Sequence, residues 1–313
     1  MWIVCMLIVL FLLVIGCGGV VLFLCACKRR KERSWLDASS LKGSSYEKLS
    51  DKIQAAHQWL CDHEVEDVYI KSSDGLRLYA RWIPAENAKG TVILAHGYRS
   101  TPYVDFSLVL EMYHNWGMNM LIPDQRSHGK SEGQYITFGV KECEDILAWV
   151  HYHNGRLGNH LVILSGLSMG ATTVLNMADM DLPENVKGII ADCGFTSPKE
   201  IISSVFRNVT HLPAAPFVCV GNLCAKVFAG FSFNAKDTRI SLPNSRVPVV
   251  LAHGKADTFV PTYMSQQAYD ACTQEKELLL VEGAGHGYSY LMDKEHYTQL
   301  VLAFLQRNLG GFA

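Results

Sequence analysis

The chain opens on an apolar run that has no polar face. Trp2 to Cys27 contains no charged residue, and its 26 residues exceed the roughly 20 that cross a bilayer as a helix. A soluble core helix is rarely apolar on every side over such a length. A cleaved signal peptide would carry a basic segment ahead of a shorter run. The box-like Val14-Ile15-Gly16-Cys17 is followed by further apolar sequence, which speaks against lipoprotein cleavage. Residues 1–27 are therefore expected to be an uncleaved, single-pass transmembrane anchor. Residues 28–64 are polar, with Leu49, Ile53, Ala56 and Leu60 at helical spacing. They read as a basic juxtamembrane segment and an amphipathic linker helix.

From residue 65 to 313 the rhythm changes. Val65–Lys71 and Leu76–Trp82 alternate around the turn Ser73-Asp74-Gly75, the signature of a hairpin. Short apolar stretches then recur at Thr91–Ala95, Asn119–Pro123, Leu161–Ser165, Val186–Ala191, Val247–Ala252 and Glu277–Glu282. Helical patterns separate or follow them at Val104–Trp116, Phe138–Asn154, Ala171–Ala178, Thr262–Cys272 and Lys294–Asn308. This order predicts βαβ units and an α/β fold with a mostly parallel sheet buried on both faces. One stretch breaks the rhythm. Phe195 to Leu242 has no clear strand and is rich in Ile, Val and Phe. A helical insertion of that length is often a lid or a binding segment.

Composition adds little to the fold and more to location. Net charge is −2 over 313 residues with both signs mixed, so no nucleic-acid partner is indicated. Lys28, Arg29, Arg30, Lys31 and Arg33 follow the anchor directly. The positive-inside bias then predicts that the C-terminal domain is cytoplasmic, with the basic cluster against anionic headgroups. The ten cysteines are scattered and show no Cys-x-x-Cys spacing. They are expected to be buried thiols rather than a disulfide framework.

Candidate chemistry gathers where the strands end, as it does in open α/β sheets. Gly166-Leu167-Ser168-Met169-Gly170 sits between an apolar strand and a helix. That pattern places Ser168 on a sharp corner with its hydroxyl exposed above the sheet. A serine hydroxyl needs a base at neutral pH, and His286, after the last strand in Gly283-Ala284-Gly285-His286-Gly287, is the candidate. The base needs a carboxylate to fix its tautomer. Asp257 is expected to supply it, with Asp192 as runner-up. The order Ser…Asp…His suits such a corner. The backbone N–H groups of Met169 and Tyr98 are the expected oxyanion donors. His96, His128 and His253 are expected to be structural, bonded to nearby backbone, and Asp124 to pair with Arg126.

Taken together, Ala95-His96-Gly97-Tyr98, Asp124-Gln125-Arg126-Ser127-His128-Gly129, the Ser168 corner, His253-Gly254-Lys255-Ala256-Asp257 and the His286 loop resemble the α/β-hydrolase superfamily over roughly Val65 to Leu309. The chain is similar to uncharacterised bacterial serine hydrolases, some membrane-anchored, and more distantly to acyl esterases and monoglyceride lipases. The resemblance implies an eight-stranded, mostly parallel sheet, a helical cap at about 195–242 after the sixth strand, a Ser168-Asp257-His286 triad, and neither metal nor cofactor. It implies hydrolysis of a small-molecule acyl ester, lipids included given the apolar insertion. Amides or peptides handled by the same triad form the alternative. A binding module that kept the fold without catalysis would be expected to have lost a triad member, and all three are present. The commoner family form has glycine before the histidine where this chain has Ser127, a change confined to a structural loop.

Overall fold

The computed structural model describes residues 1–30 and 50–309. Leu49, Lys31, Arg33 and most of the juxtamembrane segment lie outside the described residues.

Helix α1 spans Trp2–Cys27, and α2 spans Ser50–Cys61, burying Ile53 and Leu60. Strands β1 (Glu66–Lys71) and β2 (Arg77–Ile83) form the antiparallel hairpin. Next come β3 (Gly90–Ala95), the short helices α3 (Pro102–Asp105) and α4 (Leu110–Asn115), and β4 (Met118–Asp124). The sequence suggested one helix in place of α3 and α4. The chain instead breaks between them at a turn that still buries Phe106 and Val109. Then follow α5 (Glu142–Leu157), β5 (Val162–Leu167), α6 (Met169–Leu175) and β6 (Val186–Asp192).

The insertion after β6 is helical: α7 (Pro198–Thr210), α8 (Ala215–Cys224) running into a π-turn at Ala225–Ala229, and α9 (Thr238–Ser241). Ser197 caps α7, accepting the Glu200 N–H, with Pro198 at the first helical position. The chain closes with β7 (Val249–Gly254), α10 (Tyr263–Ala271), β8 (Lys276–Val281), α11 (Ser289–Met292) and α12 (Lys294–Leu309).

The eight strands are ordered β1-β2-β4-β3-β5-β6-β7-β8, parallel from β4 onward. Alternate residues of β3 feed opposite cores. Ile93 packs with Trp149 of α5 and Val174 of α6, while Val92 and Leu94 pack with Tyr113 of α4 and Phe304 of α12. Strand order reverses around β3, so the crevice opens where β3 and β5 end.

A third core joins parts that the sequence kept apart. The C-terminal half of α1 lies along α8, and Phe23 and Cys27 are buried with Phe138, Phe195, Ile201 and Val218. Contact is close because Gly18 and Gly19 have no side chains. A Cβ on Gly19 would come within 2.4 Å of the Val220 Cβ. The end of α1 is also tied to the domain by hydrogen bonds. The Ile136 N–H donates to Cys27 O at 2.7 Å, Arg29 donates to the carbonyls of Ser131 and Gly129, and Arg99 Nη2 donates to Cys25 O at 2.6 Å. The other half of α1, Trp2–Val14, is exposed all round.

Candidate active site

Ser168 occupies the corner between β5 and α6 with φ 56° and ψ −114°. Such a conformation costs a non-glycine residue about 1–3 kcal/mol. It is fixed from both sides: the Ser168 N–H donates to Asp192 O, and Ser168 O accepts from the Thr172 N–H. The two flanking glycines are there for space. A Cβ on Gly166 would lie 2.2 Å from Gly170 O, and one on Gly170 would lie 1.8 Å from Ala95 O. Strand, corner and helix pass too close for any larger residue.

His286 arrives from the loop after β8. Its Nε2 is 2.9 Å from Ser168 Oγ, and its Nδ1 is 2.6 Å from Asp257 Oδ2. The carboxylate can only accept from Nδ1, so Nδ1 carries the proton and Nε2 is left to accept the serine proton. Asp257 itself is fully satisfied. Oδ1 accepts the Phe259 and Val260 N–H groups, and Oδ2 also lies 3.1 Å from His253 Nε2. Burial alone would raise its pKa, but the hydrogen bonds from His253 and His286, the His286 charge and the Val260 amide outweigh it and hold Asp257 below the usual carboxylate range. Asp257 therefore stays ionised beside the imidazole.

The expected oxyanion donors bracket Ser168. The loop after β3 runs tightly over the serine, since a Cβ on Gly97 would sit 3.3 Å from Ser168 Cβ. Met169 opens α6. Among the described residues, neither the Tyr98 nor the Met169 N–H has a protein acceptor. The loop is held by Asp105, which the sequence did not single out. Its carboxylate accepts the Gly97 N–H at 2.5 Å and the Ser100 hydroxyl at 2.5 Å. Burial pushes Asp105 up to about 6 against those two hydrogen bonds.

The other expected roles divide. Asp192 does not reach His286; it accepts from the Ser289 hydroxyl instead. His96 bonds Gly97 O and the Gln125 N–H, and His128 accepts the Arg99 N–H, so both are structural. His253 bonds Val260 O but also the Asp257 carboxylate, which makes it a positioning residue for the acid. Asp124 pairs with Arg81 at 2.8 Å, not with Arg126. Arg126 turns the other way, to Asp145 and Asp74. All ten cysteines are free thiols, though Cys5, Cys17, Cys25, Cys61 and Cys219 are exposed rather than buried. Among the described residues, Cys193, Asp257 and His286 are the one group whose donor atoms cluster, within 4.8 Å. Both imidazole nitrogens are already engaged, and burial holds the Cys193 thiol protonated, so these residues do not fit a metal ion.

Ser168 faces a cavity of about 600 Å³. It is walled by α7 on one side and by the C-terminal half of α1 on the other, and among the described residues Arg99 is its only charged lining residue.

A family model described as serine aminopeptidase, S33 (Hydrolase_4) matches residues 86–213. YqkD of Bacillus subtilis, described as uncharacterized, is 27% identical, aligned over 75% of this chain and 77% of its own length. An uncharacterized membrane protein of Saccharomyces cerevisiae is 23% identical over 87% of this chain and 84% of its own. Among solved structures, an esterase of Pyrococcus furiosus superposes with a TM-score of 0.65 at 25% identity, covering 80% of this chain and 92% of that one. An acylaminoacyl peptidase shares the fold at TM-score 0.60 and 16% identity, covering 80% of this chain and 42% of the peptidase. The chain has the α/β-hydrolase fold, and its residues 86–213 match the model of a hydrolase family. That match and the esterase neighbour support a hydrolase.

Proposed function

We propose that this chain is a membrane-anchored serine hydrolase of carboxylic esters, with Ser168, His286 and Asp257 as its triad. The observation that carries the reading is the continuous relay Asp257–His286–Ser168, aimed into an apolar cavity. Ser168 Oγ attacks the acyl carbonyl carbon while its proton passes to His286 Nε2. The carbonyl oxygen gathers negative charge, which the Tyr98 and Met169 N–H groups receive. Collapse breaks the acyl C–O bond, and the leaving alcohol takes the proton from His286. Water then attacks the acyl-serine, gives its proton to His286, and the acid departs as Ser168 regains its hydrogen.

An esterase among the similar structures supports the ester reading. The family model's description favours an aminopeptidase instead. An enzyme of that kind must recognise a free ammonium group, which calls for a carboxylate in the cavity. The described lining offers only the positive charge of Arg99. The membrane reading rests on α1, an uncharged apolar helix of 26 residues, and a similar yeast chain is called a membrane protein.

The test uses the full chain in detergent micelles. Ser168→Ala is expected to lower p-nitrophenyl butyrate turnover by about 10⁴-fold or more and to abolish labelling by a fluorophosphonate probe. Labelling that persists in the variant would remove Ser168 as the nucleophile. Matched butyryl ester and anilide substrates then separate esterase from amidase.

A further inference from the structure

We propose that the cavity over Ser168 takes the acyl chain of an ester dissolved in the bilayer. The chain enters sideways between the anchor helix and the helical insertion, and the anchor itself forms one wall of the site. This rests on the membrane-anchored esterase reading above and adds to it the source of the substrate and its path.

The walls come from two parts of the chain. Gly18, Val21 and Leu22 of α1 face Ile202, Val205 and Phe206 of α7 across the cavity, with Ser168 at its base. Its volume, about 600 Å³, lies within the roughly 300–1,000 Å³ of small-molecule sites. Such sites ordinarily carry several polar groups to orient a ligand. Here the one charged lining side chain among the described residues, Arg99, is already turned toward the Cys25 and Lys28 carbonyls. What remains can recognise a hydrocarbon chain by burial and little else.

Depth places the mouth of this cavity in lipid. The fully exposed part of α1, Trp2–Val14, rises only about 20 Å at ~1.5 Å per residue. A bilayer's hydrocarbon core is about 30 Å thick. The missing ~10 Å, roughly two turns, must come from the half of α1 that packs on the domain, which includes Gly18 and Val21 at the cavity wall. The insertion is built for the same depth. Val209, Leu212, Val227 and Phe228 are exposed on it. Val209 and Leu212 border the cavity, and the Phe228 ring lies 6.2 Å from that of Phe23. Open to water these side chains would form a costly apolar patch; against lipid they continue the surface of the anchor.

The experiment uses the full chain in phosphatidylcholine vesicles and has two arms. In the first, the vesicles carry a palmitoyl ester with a diazirine at the chain end, and the protein is Ser168→Ala so that the ester survives. Crosslinks are expected at Ile202 and Val205, which bulk lipid does not reach unless it enters the cavity. Crosslinks confined to Trp2–Val14 would overturn the proposal. In the second, p-nitrophenyl palmitate in the vesicles is compared with water-soluble p-nitrophenyl butyrate. Palmitate turnover is expected to follow the ester's mole fraction in the bilayer. Val21→Trp and Val209→Trp, both at exposed positions, should each lower the palmitate-to-butyrate rate ratio at least about tenfold. The estimate is modest, since each buried methylene is worth about fourfold. An unmoved ratio, or palmitate turnover that follows aqueous concentration, overturns the inference. The arms separate the two readings. Crosslinking without Ser168-dependent butyrate turnover sinks the esterase and keeps the lipid site, whereas turnover without crosslinking does the reverse.

Discussion

Asp105 carries an ionisable group into a buried setting to hold one backbone amide and one hydroxyl, of Gly97 and Ser100. At pH 7, above its folded pKa of about 6, it is a carboxylate that holds the Gly97 N–H in the loop after β3. Its pKa in the unfolded chain is about 3.9, so the folded state binds the proton more tightly. The stability this contributes is complete below the unfolded value and is lost as pH rises through about 6. Asparagine cannot titrate. The stability of Asp105→Asn relative to the parent is therefore expected to increase from about pH 4 to pH 6 and to level above, by up to about 3 kcal/mol; denaturant midpoints across that range would show it, and a flat difference would refute it. In activity, Asp105→Ala leaves the Gly97 N–H unpaired and should lower kcat about 10- to 100-fold, with Asp105→Asn recovering much of the loss because its amide oxygen still accepts. Sequence reading singled out Ser168, Asp257 and His286, which the structure brings within hydrogen-bond distance, because each stands at a strand end in a glycine-punctuated motif. It missed Asp105, which sits in Pro102-Tyr103-Val104-Asp105 with no motif of its own, and it missed that His253 reaches Asp257. Both act through the fold's closure, which one-dimensional spacing does not contain.

The parallel strands were legible because each is a short apolar run bounded by turn residues, and six such runs in order allow few topologies. Their ends shifted by one or two residues, as at β7, Val249–Gly254 against an expected Val247–Ala252. Apolar runs of this kind do not mark where ladder pairing stops. Helix α1 shows the opposite limit. Periodicity reveals a packed face only by contrast with a polar one, and α1 has no polar residue to supply it. Gly19, Phe23 and Cys27 stand four apart along the helix and form its buried stripe, yet among Leu, Ile and Val they looked like any other lipid-facing positions. The stripe predicts a sharp difference between neighbouring glycines. A Cβ on Gly19 meets Val220 and the Phe217 carbonyl, whereas a Cβ on Gly16 meets nothing within 4 Å. Gly19→Leu should overpack the α1–α8 contact at about 1–3 kcal/mol. At about 2–4 °C per kcal/mol, that lowers the Tm of the full chain in micelles by roughly 2–12 °C. Gly16→Leu should leave it unchanged or slightly higher. Equal shifts for the two variants would mean that α1 does not dock on α8.

At the scale of the whole molecule, α1 and the α/β domain are one packed body among the described residues, so on the proposed anchoring by α1 the side of the membrane on which the domain lies is fixed by that helix. Lys28, Arg29 and Arg30 follow that helix directly, and Lys31 and Arg33 continue the cluster in sequence. Arg29 is spent on the domain, its guanidinium donating to the Ser131 and Gly129 carbonyls at 2.7 Å each. It therefore fixes the domain to the same end of the helix as the basic cluster. Moving that cluster across a membrane is what the positive-inside bias disfavours, and here it would also require carrying a folded domain of more than 240 residues with it. The expected topology places the amino terminus outside and the domain in the cytoplasm, with the exposed apolar rim of the insertion facing the inner leaflet. Cys61 of α2 offers a direct reading, being a free, exposed thiol on the domain. In intact bacterial cells, a membrane-impermeant maleimide should leave Cys61 unmodified and should modify it after permeabilisation, with Cys61→Ser as the control that identifies the labelled site. Labelling of Cys61 in intact cells would reverse the orientation. It would also place Asn208-Val209-Thr210, a formal glycosylation sequon at the end of α7, on the outer face beside the mouth of the cavity.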